Sequence, residues 1–552
     1  MVCSSSALFD RRANTKRPTI PKRLLQGLSA SKDNKKKKES TTLDELFTDG
    51  VDQEESGDRW LSSDLAKALR FYQLSFTSYK KCLEIDPTYF DGIYNLSRLL
   101  LSVYNNFVKN EAVNVNLLVN VADAISGDGV IQSLLDIIRF YENSLNIIEN
   151  NQVSGLTKLP IDMYYNAALC YFELIEDIIS NENIDDVKFN DLLLILNKSQ
   201  LLFNNVLKEQ VTELDNFISS FTNDESEDEK DRSLALKNEE YASIEETVTP
   251  SVVLDTVLNC YRLVSTTFEA AITDYQVKRI EEISGSFISD ADTISRTLLE
   301  RFQNKENSLG INDIDVIPSL THDEVDELKL TKITFNGSKL INFNEFINNW
   351  DNEACKIEAF DINREGFNKF KIEYLMAKAE SYSNILEKSE DEFFINKPTD
   401  QEKWEILSTQ STIYKNCFEL IKTEFQKTSK GINNEHSKNL LSLCTILIQR
   451  CDVDIKRSIL NSDQANKSRE ILKKNAITFL KSCILYSNQS GGLKETITDK
   501  LLKQKRKTEA FLRLTLIEKN FSEEVISKHA GDKINWETEL EEILYLNIYD
   551  KL

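Results

Sequence analysis

The sequence is poor in glycine, proline and histidine. Its 552 residues include 15 Gly, 7 Pro and 3 His. Because a β fold with many turns usually needs more Gly and Pro, their scarcity favours helices. The three histidines, His322, His436 and His529, lie far apart, and none is near a cysteine pair at metal-site spacing. We therefore predict an all-α protein and expect it to bind no metal and no cofactor.

Sequence motifs for catalysis and nucleotide binding are also missing. The chain contains no GxxxxGK[ST], GxGxxG, GxSxG or HExxH. Neighbouring carboxylates are common, but in so acidic a chain their positions carry no information about chemistry. We expect that the protein is not an enzyme and has no catalytic residues.

Long apolar runs are absent too. No run of about 18 apolar residues occurs, which argues against a membrane span, and the N-terminus lacks the apolar segment of a signal peptide. The nine cysteines are odd in number, scattered and mostly within helical apolar patterns. They are typical of reduced core thiols in an intracellular protein.

Charge is distributed unevenly along the chain. Residues 1–40 contain eleven Lys and Arg against three Asp and Glu, a charge of +8, so the remaining 512 residues carry −31 of the total of −23. We predict that residues 1–57 form a disordered tail, basic at first and then acidic. The basic clusters suit a nuclear import receptor, and the candidate import residues are Arg11, Arg12, Lys16, Arg17, Lys22, Arg23, Lys35, Lys36, Lys37 and Lys38. The alternative is a tail that only improves solubility or contacts RNA without specificity.

The acidic remainder of the chain favours a basic protein partner. Its averaged negative field attracts basic proteins over long range and repels nucleic acid phosphates, so we expect no specific nucleic acid binding. The alternative is that the acidity only keeps the protein soluble. An acidic loop over residues 222–232 contains a candidate phosphorylation site at Ser226, because Glu229 follows three residues later.

Helical periodicity is clearest between residues 58 and 101. Apolar residues recur at helical spacing from Leu65 to Leu83, and the Asp86-Pro87 pair ends the pattern because the residue before proline disfavours helical geometry. We interpret this stretch as two short amphipathic helices, a turn and a third helix. That organisation is typical of a helical repeat.

Specific residues in this region resemble the tetratricopeptide (TPR) repeat. Tyr79, Cys82 and Pro87 follow the aromatic, small, proline order that ends such a repeat. The stretches Ile93-Tyr94-Asn95-Leu96-Ser97 and Tyr164-Tyr165-Asn166-Ala167-Ala168 are similar to the opening of later repeats. The resemblance covers about residues 58–210, with weaker matches beyond, and it implies a protein-binding helical solenoid.

The TPR resemblance also points to candidate binding residues. TPR cochaperones hold a partner's C-terminal carboxylate with Lys, Asn and Arg on their opening helices. Here the first-repeat clamp positions fall on Trp60 and Asp64, which cannot replace those donors. Asn95 and Asn166 occupy the asparagine position of later repeats. They are candidate partner-binding residues, with a structural role as the alternative.

Three regions follow the tail in the predicted organisation. TPR-like repeats occupy residues 58–302, and divergent helical repeats with a C-terminal cap occupy 346–552. Between them, we predict a linker or irregular segment over 303–345, with a hairpin as one alternative because Asn336-Gly337 separates β-branched runs.

These observations lead to two functional hypotheses. The first is a noncatalytic escort or assembly factor, a chaperone-like adaptor in cytoplasm and nucleus that carries a basic client such as a ribosomal or other nuclear protein. The second is a structural scaffold subunit of a multiprotein complex in transcription, RNA processing or trafficking. An import receptor is an additional expected partner, and we expect no membrane attachment.

Overall fold

A computed structural model describes residues 42–150, 160–181, 184–222, 248–303, 319–357, 367–391, 394, 397–428, 434–530, 533 and 536–551. Over these residues it contains 18 α-helices and no β-strand. The prediction of an all-α helical-repeat solenoid is confirmed. The predicted import residues and Ser226 lie outside the described residues.

The first ten helices form the N-terminal part of the solenoid. They are α1 (Leu43–Leu61), α2 (Leu65–Ile85), α3 (Phe90–Val103), α4 (Ala122–Ile125), α5 (Leu134–Glu149), α6 (Ile161–Asn181), α7 (Asp186–Thr222), α8 (Pro250–Glu269), α9 (Asp274–Phe302) and α10 (His322–Ser338). A π-helical turn, Tyr104–Val108, extends α3, and a 3-10 turn, Val115–Leu117, follows it.

Eight helices form the remainder. They are α11 (Phe343–Ile357), α12 (Phe367–Lys388), α13 (Asp400–Thr428), α14 (Glu435–Ile459), α15 (Asp463–Ser487), α16 (Ile497–Ile517), α17 (Glu523–Ala530) and α18 (Glu537–Tyr545). Many of the 18 helices begin at a Ser, Thr or Asp whose side chain accepts a hydrogen bond from the backbone N–H three residues later, as Thr42, Ser133 and Ser462 do.

Helix α1 occupies a region that the sequence predicted as disordered tail, so that prediction is wrong for residues 43–57. Its buried face consists of Leu46, Gly50, Glu54 and Gly57. A Cβ atom at Gly50 would lie 2.5 Å from the Tyr79 ring, and one at Gly57 would lie 2.5 Å from the ring of a second tyrosine of α2. The two glycines therefore let α1 and α2 approach closely. A hydrophobic pattern does not count glycine, which is why the helix was missed.

The following helix corrects a second prediction. Residues 58–86 do not contain two short helices, because α2 runs unbroken through Leu65–Ile85. Trp60 lies near the end of α1, and Asp64 caps α2 by accepting a hydrogen bond from the backbone N–H of Lys67 at 2.9 Å. The two predicted clamp positions therefore do not share one helix, because Trp60 lies in the last turn of α1 and Asp64 lies between α1 and α2.

Helix α10 replaces the hairpin or irregular segment that the sequence predicted there. Thr321 and Glu324 form a capping box at its start. A Cβ atom at Gly337 would lie 3.3 Å from the indole nitrogen of the buried Trp350. The glycine provides space for this indole and does not form a turn. The capping box was the local signal that favoured a helix.

Three hydrophobic cores follow one another along the chain and share helices. Helices α6 and α7 contribute to the first and second cores, and α10 contributes Phe335 to the second and Ile333 to the third. Helix α16 belongs to the third core, yet its N-terminal residues Ile497 and Leu501 pack against the first. The last repeats therefore contact the first ones.

Polar contacts reinforce this closure between distant parts of the chain. The backbone N–H of Ile497 donates to the carbonyl of Ser62 at 2.9 Å. Arg506 donates to the Glu111 carboxylate at 2.6 Å, and Lys505 donates to the Glu111 carbonyl at 3.4 Å. The region predicted as a C-terminal cap thus also makes specific contacts with the N-terminal repeats.

Candidate functional site

Four partly or fully buried glutamates from three helices form the most unusual charge arrangement among the described residues. We call Glu173 and Glu176 of α6, Glu269 of α8 and Glu380 of α12 the glutamate cluster. Glutamate is rarely removed from water without a cationic partner, because burial disfavours its charged form. The positive charges near each glutamate therefore decide what the cluster can bind.

Lys109 compensates the part of the cluster on α6. It follows the π-helical turn, and its ammonium group contacts the carboxylate of Glu173 and lies 3.2 Å from that of Glu176. Burial raises the pKa of Glu173 to about 7, although the Lys109 charge acts in the opposite direction. Glu176 adds to the rise by repulsion. One lysine thus forms ion pairs with two carboxylates.

Lys388 lies beside the other part of the cluster, at the junction of α8 and α12. Its ammonium group donates to the Phe268 carbonyl at 2.7 Å, and Asn384 donates to Glu269 at 3.4 Å. Burial raises the pKa of Glu269 to about 7 against the attraction of Lys388, and repulsion from Glu176 contributes to the rise. Burial also lowers the pKa of Lys388 to about 8.

Glu380 is the least compensated member of the cluster. Burial raises its pKa to about 8, and the negative charge of Glu269 raises it further. With two lysines for four glutamates, ionisation of the whole cluster leaves an excess of two negative charges, and Asp177 and Glu387 add to the negative charge beside it. A cationic side chain placed nearby would restore the ordinary pKa values. The raised pKa values of the cluster thus reflect both burial and an excess of carboxylates over lysines.

The two asparagines predicted as partner-binding residues lie elsewhere, on α3 and α6. Asn95 donates to the Asp91 carbonyl of its own helix at 2.8 Å and accepts from Arg98 at 3.2 Å. Arg98 in turn pairs with Glu54 of α1 at 2.7 Å. Asn166 is half-buried. Both stay candidate partner-binding residues, and Asn95 already has intramolecular partners.

A small cleft includes Ala167 and Tyr171 of α6 among its lining residues. It has a volume of about 160 Å³ and is formed by α5, α6 and α7, with Ile138, Leu145 and Leu201 among its apolar lining residues. Lys198 and Glu142 form an ion pair of 2.8 Å at the same cleft. The cleft is too small to enclose more than a single side chain.

Comparison with known proteins relates this chain to proteins of two yeasts. Residues 367–549 match the family described as the YNL193W C-terminal domain. The chain is 22% identical over 544 residues to "Uncharacterized protein YNL193W" of Saccharomyces cerevisiae, and the alignment covers 89% of this chain and 92% of that protein. It is 46% identical over 83 residues to "UPF0656 protein C926.02" of Schizosaccharomyces pombe, which covers 15% of this chain and 18% of that protein.

The family match places part of the candidate site within a recognised domain. The matched segment begins at the first residue of α12 and ends four residues after α18. It therefore includes Glu380 and Lys388, whereas the glutamates of α6 and α8 precede it. The matching family is not the TPR family, so the match leaves the TPR resemblance without additional support.

Other chemical features of the described residues are less informative. They include no group of three or more His, Cys, Asp or Glu side chains placed to hold a metal ion. In the same residues, no helix is long and apolar enough to cross a membrane. Seven described cysteines are buried and form no disulfide: Cys82, Cys170, Cys260, Cys417, Cys444, Cys451 and Cys483.

Proposed function

We propose that the protein is a noncatalytic escort or assembly factor that holds a basic segment of a client protein at the glutamate cluster. The observation that supports this proposal is the raised pKa of Glu173, Glu269 and Glu380. Burial and neighbouring carboxylates disfavour the charged form of each glutamate, and a cation from a client would favour it. The net charge of −23 attracts such a client over long range.

The finer parts of the proposal concern repeat type and location. We propose that the N-terminal helices are divergent TPR repeats, a view supported by the complete burial of Tyr79 and Cys82 and by the end of α2 just before Pro87. We also propose that the basic residues of the N-terminal tail carry the protein into the nucleus through an import receptor. The client would then be a ribosomal or other nuclear protein.

Binding of a lysine-rich peptide tests the role of the cluster directly. We expect a fluorescent 15-residue peptide of alternating Lys and Gly to bind the full chain, and the double variant Glu269→Gln, Glu380→Gln to bind at least about tenfold more weakly. The matched control is Glu405→Gln, Glu470→Gln, which removes two exposed charges outside the cluster. Fluorescence anisotropy gives the dissociation constants.

Salt and pH provide two further readouts. The wild-type affinity should fall between about 50 mM and about 500 mM salt because screening shortens over that range. It should also fall as pH drops from 8 to 6, since protonation neutralises Glu269 and Glu380. Equal affinities of the double variant and its control, at every salt concentration, would refute the client-binding proposal.

A static scaffold subunit of a multiprotein complex is the second candidate, and one observation favours it. Val187, Leu194 and Leu201 are exposed by 69%, 66% and 63% on one face of α7. Seven residues are close to two helical turns, so the three side chains lie in one row along α7, as in a helix that packs against another helix. Copurification of partners at fixed stoichiometry in about 500 mM salt, where electrostatic attraction is screened, would support this alternative.

A further inference from the structure

Helices α13, α14 and α15 differ in charge from the rest of the protein. Together they contain thirteen Lys and Arg and ten Asp and Glu, a local charge of +3, whereas the whole chain carries −23. The three helices are consecutive, and α14 packs against both of its neighbours. The small positive excess sets this part of the protein apart from the acidic chain around it.

Two arginines of α14 lie against aromatic rings of the neighbouring helices. The guanidinium carbon of Arg450 is 4.1 Å from the centre of the Phe479 ring and 5.6 Å from that of Phe418. That of Arg457 is 4.5 Å from the Trp404 ring. The arginines are seven residues apart and therefore share one face of α14.

We call Trp404, Arg450, Arg457, Phe479 and Tyr486 the arginine–aromatic surface. All five side chains are partly exposed. Tyr486 joins the set through Phe418, whose ring centre is 6.3 Å away. Aromatic residues and arginine are the side chains most enriched at the energetically important positions of protein interfaces.

Arg450 has hydrogen-bond donors that no described residue accepts. Its Nε atom is buried and has no partner among the described residues. Asp454 and Glu419 attract it electrostatically, but Asp454 forms its ion pair with Arg457, at 3.1 Å. A buried donor without an acceptor destabilises the structure that contains it. The rings lie over the guanidinium and Nε is buried, so a carboxylate can approach only the edge that carries the two terminal nitrogens.

We propose that the arginine–aromatic surface binds an acidic segment of a partner protein, with one carboxylate on Arg450 and an apolar or aromatic side chain between Phe479 and Tyr486. The planar guanidinium matches the two oxygens of a carboxylate. This site shares no residue with the glutamate cluster, and the proposal holds whether or not the protein escorts a basic client.

Electrostatics favours a protein segment over nucleic acid as the occupant. A nucleic acid strand gains most of its affinity from several phosphate contacts in a positive field. The local charge of +3 is small, and the surrounding chain is strongly negative. One carboxylate paired with a stacked arginine requires no extended positive field.

A peptide-binding experiment tests the proposal with defined probes. The probes are three fluorescent 15-residue peptides, one of alternating Glu and Phe, one of alternating Glu and Ser and one of alternating Lys and Phe, together with a 15-nucleotide oligothymidylate. We expect the full chain to bind the Glu–Phe peptide most tightly of the four. Arg450→Met should weaken that binding at least about tenfold, and Arg450→Lys should weaken it as well because lysine lacks the planar donors.

The matched control is Arg139→Met, which removes the charge of an exposed arginine on α5 and should leave binding unchanged. Circular dichroism establishes whether each variant is folded. For the wild-type chain, hydrogen exchange should show protection by the Glu–Phe peptide within α13, α14 and α15. Protection elsewhere, unchanged binding by Arg450→Met, or tighter binding of the oligonucleotide would overturn the proposal. The proposal would also be overturned if light scattering showed a dimer of the wild-type chain that Arg450→Met abolished. A second copy of the chain would then be the occupant.

Discussion

Replacing Glu380 by glutamine removes one charge from the glutamate cluster and leaves the size of the side chain almost unchanged. The pKa of Glu380 is raised to about 8 in the folded protein by burial and by Glu269. In the unfolded chain it returns to about 4.3. A raised folded pKa means that the native state loses stability as pH rises from about 4.3 to about 8. The Glu380→Gln variant does not lose this stability, because glutamine does not ionise.

The magnitude follows from the size of the shift. A shift of between three and four pH units corresponds to about 4 to 5 kcal/mol at pH 8 if the environment does not relax. Glu380 is partly exposed, so water and side-chain movement reduce the effect, and we expect Glu380→Gln to stabilise the native state by about 1 to 3 kcal/mol at pH 8. At pH 5 the wild-type carboxyl is protonated when folded, and the gain should fall below about 1 kcal/mol.

Thermal unfolding followed by intrinsic fluorescence measures this difference. The midpoint should rise by a few degrees at pH 8 and by much less at pH 5. Glu470→Gln is the control, because Glu470 is exposed on α15 and its replacement should change the midpoint little at either pH. A lower midpoint for Glu380→Gln at pH 8, or an equal shift at both pH values, would show that the electrostatic reasoning is incorrect.

Three further predictions address other parts of the chain. Gly50→Ala should destabilise the protein by about 1 to 3 kcal/mol in urea unfolding, because the new Cβ would lie 2.5 Å from the Tyr79 ring, whereas Gly285→Ala, with nothing within 4 Å, should not destabilise it. Glu111→Arg should lower the unfolding midpoint, because it disrupts the ion pair with Arg506 of α16. Adding Arg506→Glu should restore part of the lost stability, and no recovery in the double variant would argue against a specific ion pair. Removing residues 1–40 should leave the unfolding midpoint nearly unchanged and shift a fluorescent fusion from nucleus to cytoplasm in microscopy, and an unaltered distribution would eliminate the import hypothesis.

The sequence predicted those helices whose contacts use large apolar side chains. Tyr79 occupies a predicted aromatic position and is fully buried, because a bulky residue at helical spacing has few alternatives to the core. Helix α1 was missed because its contacts with α2 use Gly50 and Gly57. The hairpin at Asn336-Gly337 was wrong because local turn chemistry cannot reveal that Gly337 faces Trp350.

The glutamate cluster could not be predicted from local sequence. Glu176, Glu269 and Glu380 come from three helices far apart in the chain, and each is an ordinary residue for the exposed face of a helix. Only tertiary packing brings them together and removes water from them. The preference for basic partners stays a prediction from the overall acidity, and acidity alone identifies no position at which such a partner would bind.

Closure of the chain by α16 has a consequence for synthesis on the ribosome. Arg506 is 395 residues from its partner Glu111, so the N-terminal repeats emerge long before the helix that covers them. At about 5 to 20 residues per second, the apolar surface that receives Ile497 and Leu501 stays uncovered for roughly 20 to 80 s in each nascent chain. A ribosome-associated chaperone has that interval in which to bind, and a transcript truncated before α16 would yield a chain on which the surface is never covered.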